Sequence, residues 1–369
     1  MKTSLRITYI LPQLDVGGSE THIVRLADQM RKRGHDARLL CVFQEGRLGS
    51  WARQLGIPLE ALEQKKWRLP ALLGIYHWLK KNPADIVHTY LFGLHLFAGL
   101  PARLAGVPVV VSSRRGVDLS QPEKIRWLEM AGNFFSDRVV ACADAVRDWV
   151  LKRENINPSK VLTLYNGVDL STFSPEQSGR AIRAEFGIPD AVPLVGTVAN
   201  FSDMKGYPDL IDAAALILKQ RPECRFLFVG AGPLETEMRN KAERLTGRGK
   251  IFFAGSRRDV PQLLAAMNIF AFCSYWEGVP NVVIEAMAMA RPVVSTPAGG
   301  VPEVITDGVN GLIVPMRAPQ LMAQAILTLM ENPDKAQAFG MAARRTIETR
   351  FSLERMADDY ESFYFAEVR

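Results

Sequence analysis

The sequence predicts an α/β protein built from two parallel-sheet units. Short apolar, strand-like runs alternate with helix-like segments along the whole chain. Those runs are almost continuously apolar, as strands covered by helices on both faces must be. A polar, turn-rich stretch, STFSPEQSG, interrupts the alternation, which restarts with VPLVGTVANF. With 369 residues, 48% of them hydrophobic, the chain can bury two separate cores, and it shows no repeat or low-complexity tract.

In the first half the strands are ITYIL, ARLLCVF, DIVHTY, VPVVVSS, DRVVACA and KVLTLYN. The first strand ends in LPQLDVGGSE, where Gly17 and Gly18 let the backbone come close to a ligand beyond the strand's carboxyl end, or simply make a tight turn. The next helix ends in Arg31, Lys32 and Arg33 before Gly34, which the helix dipole and a C-terminal stop explain without any partner. Two clusters, Lys65-Lys66-Trp67-Arg68 and Tyr76 to Lys81, combine basic residues with tryptophan. That mixture suits anionic lipid headgroups, and it equally suits snorkelling lysines on a solvated helix.

His88 lies near the carboxyl end of DIVHTY, where open α/β sheets bind ligands, and could position a hydroxyl or carry a proton; a satisfied buried histidine is the plainer reading. His95, in an apolar run, reads as core. After VPVVVSS the chain reads Ser112, Ser113, Arg114, Arg115, Gly116, Val117, Asp118, where two arginines could grip a phosphate or carboxylate or stand in solvent. The stretch from Leu128 to Arg153 reads as helical and completes the unit, although DRVVACA inside it has strand composition.

The second half places Lys205-Gly206 at a helix entrance and the turn Gly230-Ala231-Gly232-Pro233 after the strand RFLFV. Two further strands surround a short helix, with Arg257 and Arg258 in the loop between. The densest stretch is SYWEGVPNVVIEAMAMARPVVSTPAGGVP, Ser274 to Pro302. Gly278 is expected to cap a helix with Pro280 in its first turn, and Val279, Val282, Val283, Ala286, Met287 and Ala290 form one apolar stripe. Glu277 is left in the preceding loop and Glu285 lies off the stripe. A helix N-terminus seats phosphate, and carboxylates beside it suit sugar hydroxyls, although alone they would be one capping and one solvated glutamate.

This stretch resembles the donor-binding signature of retaining glycosyltransferases of the GT-B fold, family 4: Glu277, seven residues, Glu285, Ala286 to Ala288, Pro292 to Val294, then Gly299 to Glu303. The resemblance implies two Rossmann-like domains facing each other across a cleft. These would be an acceptor domain over 1–170, a donor domain over 171–350, and a C-terminal helix over 351–369 crossing back to the first. It implies that Glu277 and Lys205 are catalytic, Lys205 holding the donor diphosphate, Glu277 orienting the transferred sugar and Glu285 binding the ribose. Gly278, Val279, Pro280, Asn200, Gly230, Gly232, Arg258, Gly17 and Gly18 would also border the donor. The family usually has arginine where this chain has Asn200, and a His-Gly pair near the Ser-Arg-Arg-Gly of Ser113 to Gly116. His88, Ser113, Arg114 and Arg115 are therefore the acceptor-side candidates, and an anionic acceptor is expected.

The resemblance further implies metal-independent transfer without a cofactor, in keeping with the absence of Asp-x-Asp from the sequence. It implies a nucleotide-sugar substrate, UDP being the commonest nucleotide, and a glycan or lipid-linked acceptor in polysaccharide or lipopolysaccharide assembly. Alternatives are an epimerase-like or phosphorylase enzyme, or an inactive nucleotide-sugar-binding subunit.

Through Leu170 there are 24 Lys and Arg against 16 Asp and Glu, a balance of +8, and after it 21 against 23, a balance of −2. A basic first half suits an anionic partner such as lipid phosphate or a membrane face. Nucleic acid is not expected, because no recognition motif accompanies the charge. Cys41, Cys142, Cys224 and Cys273 are scattered and read as reduced core residues. With neither a leader pattern nor a spanning run, a cytoplasmic protein, peripheral on the inner face of the membrane, is expected.

Overall fold

The computed structural model describes residues 3–66, 69–90, 94–116 and 123–368; Trp67, Arg68, Val117 and Asp118 lie outside the described residues. The chain divides into two compact units, Met1–Gly167 with Leu353–Arg369, and Val168–Ser352.

The first unit holds β1 (Arg6–Leu11), β2 (Asp36–Cys41), β3 (Leu59–Ala61), β4 (Ile86–Tyr90), β5 (Val109–Arg114), β6 (Arg138–Ala141) and β7 (Val161–Thr163). They form one parallel sheet in the order β3-β2-β1-β4-β5-β6-β7. Its helices are α1 (Gly18–Lys32), α2 (Gly49–Gln54), α3 (Leu69–Lys81), α4 (Leu94–Ala105), α5 (Glu123–Phe135) and α6 (Asp144–Arg153). Strand side chains alternate between two cores. Tyr9, Leu11, Leu39 and Cys41 pack with α1, while Ile10, Leu40, Val87 and Val110 pack with Ala71, Ile75, Ala98 and Ala102 of α3 and α4. The stretch expected to be helical over 128–153 is helix, strand, helix. The Ser136 hydroxyl bonds back to the Gly132 carbonyl and the Asp137 carboxylate accepts the Val110 N–H, which turns the chain into β6. Three-residue β3 is too short to leave a pattern.

The C-terminal helix, Leu353–Glu367, belongs to this unit. It buries Leu353, Met356, Ala357, Tyr360, Phe363 and Tyr364 against α1 and the strands, with Leu353, Met356 and Phe363 each worth about 1.5–3 kcal/mol when fully buried. Arg33 donates to Glu361 at 2.7 Å, and His35, whose Nδ1 accepts the Leu5 N–H, meets the same carboxylate through Nε2 at 2.9 Å.

The second unit holds β8 (Leu194–Val198), β9 (Arg225–Val229), β10 (Ile251–Phe253), β11 (Ile269–Phe272), β12 (Val293–Ser295) and β13 (Leu312–Ile313), parallel in the order β10-β9-β8-β11-β12-β13. Its helices are α7 (Arg180–Glu185), α8 (Tyr207–Gln220), α9 (Glu235–Thr246), α10 (Val260–Ala266), α11 (Asn281–Ala288), α12 (Val301–Val304), α13 (Pro319–Glu331) and α14 (Pro333–Arg350). In each sheet the strand order reverses once, between β1 and β4 and between β8 and β11. Open parallel sheets bind ligands outside the carboxyl ends of the strands at such a reversal.

Candidate active site

The two loops beside the second reversal carry the strongest sequence signals. From β8 the chain runs through a 3-10 turn, Asp203–Lys205, into Gly206 and α8; from β11 it runs through Ser274 to Pro280 into α11. Gly206 has φ +62°, and a Cβ there would meet the Cys273 carbonyl oxygen at 2.0 Å. Gly299, at φ +54°, would place a Cβ 1.9 Å from the Glu277 carbonyl oxygen. Only glycine accepts both the left-handed backbone and the contact, so these residues hold three loops against one another.

The result is a charged pair. Lys205 Nζ donates to Glu277 Oε1, and the Ser274 hydroxyl donates to the same oxygen at 2.8 Å. Among the described residues Oε2 takes no hydrogen bond. The Glu277 and Lys205 side chains are 10% and 15% exposed, so the pair is sheltered from solvent yet reachable. An ammonium has three donors and a carboxylate about four acceptor positions. The lysine therefore keeps two donors, and the glutamate one oxygen, for further hydrogen bonds.

Gly278, Val279 and Pro280 are buried, and the Gly278 carbonyl accepts the Gly300 N–H at 2.7 Å. The expected cap is displaced by two residues. Pro280 caps the helix with an extended backbone, φ −71° and ψ 117°, and Asn281 is the first helical residue, so Gly278 serves the loop contact rather than the cap. Glu285, one turn into α11, is 9% exposed rather than solvated. Gly230 and Gly232 back onto the Ala199 and Phe201 carbonyls, where a Cβ would come within 1.9 and 2.4 Å, which brings the β9 loop against the β8 loop. Asn200 and Arg258 are exposed, while Arg257 is tied to Glu185 and Asp259. Ser274, which orients Glu277, was missed, although a serine three residues ahead of a loop glutamate is a legible signal.

In the first unit the acceptor-side candidates separate. His88 is fully buried, Nδ1 against the Tyr364 hydroxyl at 2.7 Å and Nε2 against the Ser113 hydroxyl at 2.8 Å. Burial, with Arg115 nearby, pushes its imidazole well below the usual range. His88 and Ser113 thus join the C-terminal helix to the sheet. Arg114 is also fully buried, bonding Glu154 at 2.8 and 2.9 Å, Asn133 at 2.9 Å and Glu129 at 2.8 Å. With both neighbouring carboxylates already engaged, Arg114 is a structural cation and not the anion grip expected of it. Arg115 differs: Nη2 donates to Asn166, Tyr90 presents its ring 5.9 Å away, and among the described residues Nε and Nη1 find no acceptor. Gly17 and Gly18 begin α1, and the Glu20 carboxylate lies over Gly17, where a Cβ would meet its Oε2 at 2.4 Å. Burial raises the Glu20 carboxyl, with Arg115 acting in the opposite sense. His95 and all four cysteines are buried core residues, and among the described residues no three His, Cys, Asp or Glu group as metal ligands.

Two doubly wound parallel units, with a lysine–glutamate pair at the second reversal, are the GT-B class of architecture. Residues 16–172 match the family model described as Glycosyltransferase Family 4, and residues 179–346 the one described as Glycosyl transferases group 1. The chain belongs to glycosyltransferase family 4 and is a glycosyltransferase. It is 26% identical over 375 residues to alpha-maltose-1-phosphate synthase of Mycolicibacterium smegmatis, covering 94% of this chain and 95% of that protein. It is 24% identical over 307 residues to UDP-Gal:alpha-D-GlcNAc-diphosphoundecaprenol alpha-1,3-galactosyltransferase of Escherichia coli, covering 80% and 79%. Anabaena HepE, solved in complex with UDP-glucose, shares the fold with TM-score 0.87 at 23% identity, over 98% of this chain and 100% of that one.

Proposed function

We propose that the protein is a retaining, metal-independent glycosyltransferase. It moves a sugar from a UDP-sugar to a hydroxyl of an anionic, glycan or lipid-linked acceptor in cell-surface polysaccharide or lipopolysaccharide assembly, at the inner face of the membrane. The observation that carries this is the Lys205–Glu277 pair at the second reversal, with one carboxylate oxygen left for a ligand. Lys205 neutralises the diphosphate as negative charge grows on the leaving group, and the N-terminal end of α11 assists. Glu277 Oε2 accepts from hydroxyls of the transferred sugar and fixes the anomeric carbon, while Glu285 serves the ribose. The oxygen of the leaving phosphate takes the acceptor proton, so no separate base is needed.

Support for UDP comes from the names of the galactosyltransferase relative and of the HepE complex. An anionic acceptor is supported by Arg115, a half-buried cation that among the described residues hydrogen-bonds no carboxylate, and by a phosphate and a diphosphate in the relatives' names. The test is transfer from UDP-sugars, with and without chelator, to phosphate-bearing glycoside acceptors, reading the anomeric configuration by NMR. Transfer with retained configuration that survives the chelator supports the proposal. Inversion, loss of transfer on chelation, or donor binding without transfer to any acceptor overturns it.

A further inference from the structure

α5 is built inside out. It buries Glu129, Gly132 and Asn133, because Arg114 needs Glu129 and Asn133 as partners. It turns Trp127, 60% exposed, and Phe134, 82% exposed, to the outside. Lys124, Trp127, Ala131 and Phe134 are all exposed and recur at helical spacing, so they form one stripe on one face. A surface helix normally does the reverse.

The stripe has neighbours. α4 packs against both α3 and α5, and the packing is close: a Cβ on Gly132 would meet His95 Cβ at 2.9 Å, and one on Gly99 would meet Phe135 Cβ at 3.0 Å. α4 adds Leu104, 64% exposed, and α3 adds Leu69 and Leu73, 67% and 47% exposed. The three adjacent helices thus present five exposed large apolar side chains, more than scattered surface leucines require.

Charge decides what covers them. α3 and α4 contain no acidic residue and carry exposed Lys80 and Lys81, while Arg103 is paired with Asp137 at 2.6 Å. α5 adds Lys124 and Arg126, against Glu123, which is already paired with Arg126, and the buried Glu129. Exposed Lys65 and Lys66 precede α3. A second copy of this basic face would meet it with like charge, whereas an anionic bilayer accepts both the apolar side chains and the lysines.

We propose that the outer face of α3, α4 and α5 docks the first unit on an anionic lipid surface. This rests on the membrane-face reading given under Proposed function and names the surface responsible. Trp127 and Phe134 enter the headgroup boundary and the basic side chains meet lipid phosphate, so binding is reversible and salt-sensitive.

The test is sedimentation of the full chain with vesicles of phosphatidylcholine alone or mixed with phosphatidylglycerol, at low and high salt. Wild type is expected to pellet only with the phosphatidylglycerol vesicles, and less at high salt. Trp127→Ser with Phe134→Ser should weaken binding about tenfold or more, and Lys80→Glu with Lys81→Glu at least as much. Leu245→Ser, at an exposed leucine of the second unit, should change nothing. UDP-induced thermal stabilisation, measured on the same variants, should be unchanged, and its loss from wild type would count against the donor-site reading alone. The proposal is overturned if wild type stays in the supernatant with both vesicles, if binding survives both double substitutions, or if ultracentrifugation shows a dimer that Phe134→Ser dissolves while vesicles bind nothing.

Discussion

Replacing Lys205 with alanine tests the site through two independent quantities. The first is stability. Glu277 would keep the 2.8 Å hydroxyl bond from Ser274 but lose its only charged partner among the described residues, in a place where the carboxylate is 10% exposed. The pair is sheltered rather than fully dry, so the cost is about 1–3 kcal/mol, that of leaving a buried polar group poorly satisfied, and not the larger figure for a fully buried ion pair. For a unit of this size each kcal/mol moves the melting temperature about 2–4 °C, and the second unit should melt about 2–12 °C lower. The second quantity is turnover. Loss of a cationic contact aimed at developing charge costs about 100- to 1,000-fold in kcat. The assays are calorimetry and UDP-sugar turnover on Lys205→Ala, Glu277→Gln and the double variant. Because the two side chains bond directly, their stability effects should fail to add by about 0.5–3 kcal/mol. Additive effects, or a Lys205→Ala enzyme within about threefold of wild-type turnover, would refute the reasoning.

Arg115→Gln should raise KM for phosphate-bearing acceptors about 10- to 150-fold, the equivalent of one charged hydrogen bond, and leave neutral acceptors alone; equal effects on both would remove its anion role. Arg114→Met should destabilise the first unit by about 3–5 kcal/mol, since Glu129 and Glu154, each 1% exposed, lose their cation, and adding Glu129→Leu and Glu154→Leu should recover most of it in urea melts. Burial alone would raise the Glu361 carboxyl, but Arg33 and His35 outweigh it and hold it below its usual 4.5. A depressed carboxyl contributes its stability above its unfolded value and loses it as pH falls through the lowered one. The C-terminal helix should therefore loosen in acid below about pH 4.5, and Glu361→Gln should flatten that slope in a proteolysis or circular-dichroism titration. Burial pushes the Cys41 and Cys224 thiols up to about 12, so alkylation at neutral pH should proceed only on unfolding.

The sequence was readable where physics leaves a local imprint. The strands of both sheets show as apolar runs because helices cover them on both sides, and the Gly-rich, Glu-bearing stretch from Ser274 shows because a close loop contact at Gly299 excludes every other residue. What could not be read depends on partners far along the chain. Arg114 and Arg115 are adjacent and chemically identical in the sequence, yet one meets Glu129 and Glu154 while the other meets an amide and a tyrosine ring. Only the packing of α5 and α6 against β5 separates them. The same packing explains the exposed Trp127 and Phe134: once Arg114 must be neutralised from α5, Glu129 and Asn133 turn inward and Trp127 and Phe134 are left outside. A single buried cation thus sets both the shape of the first unit's carboxyl edge and the character of its outer face, and no local pattern in the sequence records it.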